Sequence, residues 1–114
     1  MTVMHAKGYR LDRREGVRII EWHLKAGETG QSVDTAGRPT TVQAAGEFRG
    51  ARLHWETALT DVAPFEPVPN RQGLPFAWSR RRVAGLETSV GLLRPRLSGG
   101  DAETEVVIWA QIAQ

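Results

Sequence analysis

Apolar and polar side chains alternate with a period of two along much of this 114-residue chain, and no 3.6-residue pattern is sustained. Because successive side chains of an extended strand point to opposite faces, that alternation predicts strands with one face in a core and one in water. The clearest case is 51–59, where Ala51, Leu53, Trp55, Thr57 and Leu59 share one face and Arg52, His54 and Glu56 the other. Residues 17–24 set Ile20, Trp22 and Leu24 against Val17, Ile19, Glu21 and His23. Residues 41–48 set Val42, Ala44, Gly46 and Phe48 against Gln43, Ala45 and Glu47. In 105–113 both faces are largely apolar, Val106, Ile108, Ala110 and Ile112 on one and Val107, Trp109 and Gln111 on the other, so this strand is expected to be central or covered on both sides. Shorter strands are predicted at 76–78, 85–88 and 90–97, the last demoted to an edge or bulged strand because Pro95 cannot donate a ladder hydrogen bond.

Turn residues separate these segments. Gly27–Gly30 and Ala36-Gly37-Arg38-Pro39 bracket a loop, Phe48-Arg49-Gly50-Ala51 predicts a tight hairpin, and Ser98-Gly99-Gly100-Asp101 a second one before the last strand. Residues 61–75 hold four prolines and Gly73 and are expected to cross one end of the structure. The predicted fold is all-β: a small antiparallel β-sandwich, Ig-like or jelly-roll-like, of six to eight short strands over residues 15–114, preceded by an N-terminal arm, 1–14.

Composition narrows the chemistry. With no cysteine there is no disulfide, thiolate metal site or cysteine nucleophile. The histidines, His5, His23 and His54, lack metal-ligand spacing, although His23 and His54 are placed as possible cross-strand neighbours. No serine sits in a nucleophile elbow, and the carboxylates are scattered; Asp101, Glu103 and Glu105 read as a solvated strand entry. No catalytic residue, cofactor or metal is therefore predicted, and the chain is expected to bind rather than catalyse. No apolar run approaches the length needed to span a bilayer, and the N-terminus lacks a secretory signal, so synthesis in the cytoplasm and no membrane partner are expected. The net charge of +2 gives no concentrated basic face, so nucleic acid is not expected as a partner despite Arg80-Arg81-Arg82.

The order of motifs resembles a group of small virion proteins of tailed bacteriophages encoded near the major capsid protein. The resemblance rests on Trp22 followed by Gly27-Glu28-Thr29-Gly30, on residues 41–48, on a loose match at 69–74, and on Leu93-Arg94-Pro95-Arg96-Leu97-Ser98-Gly99-Gly100-Asp101. A Ser-Asn-Asp-Gly turn of that group is absent, its place taken by residues 55–60. The resemblance implies a capsid decoration or cement protein on the outside of the phage head, homo-oligomeric, with the major capsid protein as partner and the virion as location. A carbohydrate- or receptor-binding module of a tail fibre or tip, and a head-to-tail connector, are the alternatives. Expected interface residues are Lys7, Arg10, Arg13 and Arg14 of the arm, Phe65 of the proline-rich loop, Arg80, Arg81 and Arg82, and Trp109.

Overall fold

The computed structural model describes residues 6–14, 16–68, 77–86 and 91–113. They form an all-β structure of two sheets, mostly antiparallel. The strands are β1 (Ala6–Lys7), β2 (Tyr9–Arg14), β3 (Val17–Lys25), β4 (Thr29–Gly30), β5 (Val33–Asp34) and β6 (Thr40–Glu47). They continue as β7 (Arg52–Ala58), β8 (Glu66–Pro67), β9 (Ala77–Trp78), β10 (Arg82–Leu86), β11 (Leu92–Ser98) and β12 (Glu105–Ala113). One sheet runs β10-β6-β12-β3-β2; the other runs β1-β4-β11-β7-β8, with β5 also on β11 and β9 also on β7.

The alternation in sequence becomes burial in space. Ile20, Trp22 and Leu24 of β3, Val42 and Ala44 of β6 and Val106, Ile108, Ala110 and Ile112 of β12 face Leu53 and Trp55 of β7 and Leu93 and Leu97 of β11 in one core. Of the two expectations for it, β12 takes the central place, with β3 on one side and β6 on the other. Trp22, Trp55 and Trp78 form a chain of rings through this core that the exposed Tyr9 joins at its end, each ring meeting the next edge to face at centroid distances of 6.3, 6.0 and 6.2 Å from Tyr9 onward. Edge-to-face pairs align a positive ring edge with a negative ring face and add roughly 0.5–1.5 kcal/mol beyond area burial.

The tight turns carry the chain between sheets. In the predicted hairpin at Phe48–Ala51, the Ala51 N–H donates to the Phe48 carbonyl at 2.8 Å, and Arg49 and Gly50 both have positive φ (50° and 85°), the signature of a type I′ turn. Yet β6 and β7 do not pair: they lie in different sheets, so the turn is a corner and not a hairpin. The link from β11 to β12 through Ser98–Asp101, also expected as a hairpin, switches sheets in the same way, as do those from β3 to β4 and β5 to β6. This to-and-fro is a jelly-roll-like path, in which each sheet is filled by strands distant in sequence.

Pro95 is also placed differently from expectation. Strand β11 is interior, paired along its length with β7 and on its other side with β4 and β5. The β4 contact is at Arg96 and the β5 contact at Leu92 and Leu93, so Pro95 sits where neither short strand pairs with it. The missing donor is accommodated because the neighbouring strand is interrupted there.

Within the expected arm, Ala6–Lys7 pairs in parallel with β4 and Tyr9–Arg14 forms an antiparallel ladder with β3. The predicted strand at 85–88 is described as β10, displaced to Arg82–Leu86. Residues 69–74, part of the motif resemblance, lie outside the described residues, as do Phe76, Thr88 and His5.

Candidate binding surfaces

Two outward sheet faces and the β2 edge gather polar and apolar groups that the core does not use. On the outer face of the five-stranded sheet, strand register aligns Val83, Gln43, Trp109, Glu21 and Arg10 in one row across β10, β6, β12, β3 and β2. Trp109 is half-buried there, and its Nε1–H donates to Glu21 Oε1 at 2.8 Å. His23 Nε2 lies 2.9 Å from Glu21 Oε2, and Arg10 Nε 3.8 Å from the same oxygen. The hydrogen bonds from His23 and Trp109, with the Arg10 charge, hold the Glu21 carboxyl below its usual pKa against the opposing effect of burial.

Strand β2 borders this sheet. All its residues are exposed, including Tyr9 (38%) and Leu11 (41%), and its only described ladder is with β3. Tyr9, Leu11 and Arg13 lie on one face of the strand and Arg10, Asp12 and Arg14 on the other.

On the outer face of the seven-stranded sheet, Glu56 is buried (8% exposed) between two arginines of the adjacent strand. Arg94 donates through Nε to Oε1 at 2.9 Å, and Arg96 through Nε to Oε2 at 3.0 Å. The Arg94 guanidinium lies 3.8 Å from the centre of the Phe65 ring. One step along, His54 Nε2 is 2.7 Å from Ser98 Oγ. Burial, then the charges of Arg96 and Arg52, push the His54 pKa down from its ordinary value, with Glu56 opposing. Nearby, Thr57, Ala58, Leu59, Ala63, Pro64 and Glu66 line a shallow, mostly apolar pocket of about 230 Å³.

The residues expected at an interface are thus spread over several places. Lys7 pairs with Glu28, Arg10 with Glu21 and Arg14 with Asp12, while Arg13 is exposed. Arg80 and Arg81 are exposed before β10, and Arg82 opens that strand with its guanidinium 5.9 Å from the Trp78 ring. Phe65 is half-buried against Arg94. Only Arg10 and Trp109 share a row, through Glu21. His23 and His54, placed as possible neighbours, lie in different sheets. The acidic residues at 101–103 hold a corner instead: Arg49 bridges to Asp101 and Glu103 at 3.3 Å each, and Asp101 Oδ1 accepts from the Glu103 N–H. Among the described residues, no three His, Asp or Glu side chains are grouped to hold a metal ion. Sequence reasoning missed the Glu56–Arg94–Arg96 group, because its only trace is one acid on β7 and an Arg-x-Arg on β11, nearly forty residues apart with no sign of their register.

The fold class is therefore a two-sheet, jelly-roll-like β structure. A cupin domain from Bordetella pertussis, known from its crystal structure, has a similar fold: it is 16% identical, with a TM-score of 0.52 over 98% of this chain and 99% of that one. No protein-family model and no curated protein matches the sequence. The expectation of a phage virion protein, as a capsid decoration protein, tail-fibre module or connector, is overturned by this likeness, which spans nearly the whole chain and points to a cupin fold. The physical reason lies in the motifs. Gly27–Gly30, Phe48–Ala51 and Ser98–Asp101 mark sheet-switching corners, so their order follows the folding path.

Proposed function

We propose that the protein is a binding domain without catalytic activity that works as a homodimer, joined by antiparallel pairing of β2 with β2 of a second copy. The observation that carries this reading is the charge order of the exposed β2 edge. An unpaired strand edge presents free backbone donors and acceptors and is ready to add a strand. A two-fold axis through Leu11 sets Leu11 opposite its own copy, Tyr9 opposite the partner's Arg13, and Arg10 opposite the partner's Asp12. Both Arg10–Asp12 contacts then recur by symmetry, as in any isologous interface. Opposed residues of an antiparallel pair share a face, so the two-fold must pass through a residue; moving it to Asp12 opposes Asp12 to Asp12 and Arg10 to Arg14, and moving it to Arg10 or Arg13 opposes that arginine to its own copy. Like charges directly opposite destabilise a ladder, so only the Leu11 register satisfies the charges.

Exposed Tyr9 and Leu11 support the same edge, since pairing would cover apolar surface that the second sheet leaves open. The contact is small beside the ~1,600 Å² of a typical stable complex, so a dissociation constant on the order of micromolar is expected. Sedimentation velocity over a concentration series tests the proposal. The wild type should reach twice its 12.6 kDa chain mass, D12R should weaken the dimer by roughly 10- to 100-fold, and R10D/D12R should restore it. A wild type that stays monomeric, or a D12R protein that dimerises as well as wild type, would overturn it.

A further inference from the structure

We infer that Arg94 and Arg96, held by Glu56 on the outer face of the seven-stranded sheet, form a binding site for an oxyanion, the carboxylate or phosphate group of a small molecule. This site is separate from the β2 edge and does not depend on the dimer.

Two cations meeting one buried carboxylate leave an excess positive charge. Each guanidinium contacts Glu56 through Nε alone. Among the described residues the paired terminal nitrogens of both side chains take no further partner, on arginines that are 25% and 33% exposed. That is the fork geometry with which arginine binds carboxylate and phosphate through two parallel hydrogen bonds. Ordering two long side chains is ordinarily the main cost of such a site. Here Glu56 fixes both, and the Phe65 ring fixes the plane of Arg94 at 3.8 Å, so an incoming anion meets donors already in place. Arg52, on the same face of β7 two residues before His54, extends the positive field.

His54 reports on the site without belonging to the fork. The groups around it are Arg52 and Glu56 on its own strand, Arg96 and Ser98 on β11, and Ala77 on β9. The two arginine charges disfavour its protonation, and an anion on Arg96 would offset them.

The test is a pair of titrations of the full chain, followed by NMR, with inorganic phosphate and with acetate, at a salt concentration low enough to keep the Debye length near ~10 Å. Saturable shifts of the Arg94 and Arg96 Nε–H signals are expected with at least one anion, and the responding arm identifies the chemistry. R96K, which keeps the charge but loses the fork, should weaken binding about tenfold, whereas R80Q/R81Q should leave it unchanged. Should R96K fail to fold, the wild type decides alone: the His54 pKa should rise when the anion is bound. Linear, non-saturating shifts with both anions, equal loss in R96K and R80Q/R81Q, or a His54 pKa indifferent to a saturating anion would each overturn the inference.

Discussion

At Gly30 the backbone of β4 passes so close to its neighbours that a Cβ would lie 2.7 Å from Pro95 Cγ and 2.8 Å from Trp22 Cδ1. Neither ring can swing aside: Pro95 is locked in β11, and Trp22 is fully buried with its Nε1–H on the Gln31 carbonyl at 2.9 Å. Gly30→Ala should therefore cost about 1–3 kcal/mol, as other overpacked cores do, read as a lower denaturant midpoint at unchanged slope. Two residues with lowered pKa values contribute to the acid side of stability. The Glu21 carboxyl is lowered in the folded state, so its contribution is complete above the unfolded value of 4.5 and is lost as pH falls through the folded one. The His54 pKa is also lowered, so the unfolded chain takes up a proton first, and stability declines as pH falls below 6.5. Trp109→Phe removes one donor to Glu21. Its carboxyl pKa, followed by carbon NMR, should move up toward the ordinary value; an unchanged pKa would show that His23 and Arg10 suffice.

Among the elements, the corners explain both what could be read in the sequence and what could not. Alternation placed β3, β6, β7 and β12 within a residue or two of their ends, because strand period depends on local side chains alone. Turn chemistry located the corner at Phe48–Ala51 but not its direction. A type I′ turn favours a hairpin locally, and only the burial of both sheets against one core sends β7 to the opposite layer. Pro95 misled for a related reason: its missing N–H forbids a continuous neighbour on one side, and two short strands with a gap between them satisfy that condition. The exposed faces were less legible, since Glu56 meets its arginines only through the β7–β11 register. At the β5–β6 corner Ala36 (φ 52°) precedes Gly37 (φ 69°), with the Arg38 N–H on the Thr35 carbonyl at 2.9 Å. Alanine is strained in the left-handed region, where asparagine is tolerated. Ala36→Asn should raise stability by roughly 0.5–1 kcal/mol in equilibrium unfolding, and a loss would mean that the turn relaxes otherwise.

For the whole molecule, the core occupies the space between the sheets, and what remains available to partners is the perimeter. The outer face of the five-stranded sheet carries charges of both signs around Trp109, while the outer face of the seven-stranded sheet is basic around Glu56. Strand β2 ends the first sheet with an edge whose charges are matched by its own copy. The dimer thus rests on one register, in which Leu11 meets Leu11. A sample mixed from carbon-13-labelled and unlabelled protein, examined by isotope-filtered nuclear Overhauser spectroscopy, reports that contact directly. Cross-peaks between the Leu11 methyls of one protomer and those of its partner, with Tyr9 to Arg13 contacts beside them, are expected. A dimer that lacks these cross-peaks, or a spectrum with no contact between protomers at concentrations well above micromolar, would contradict it.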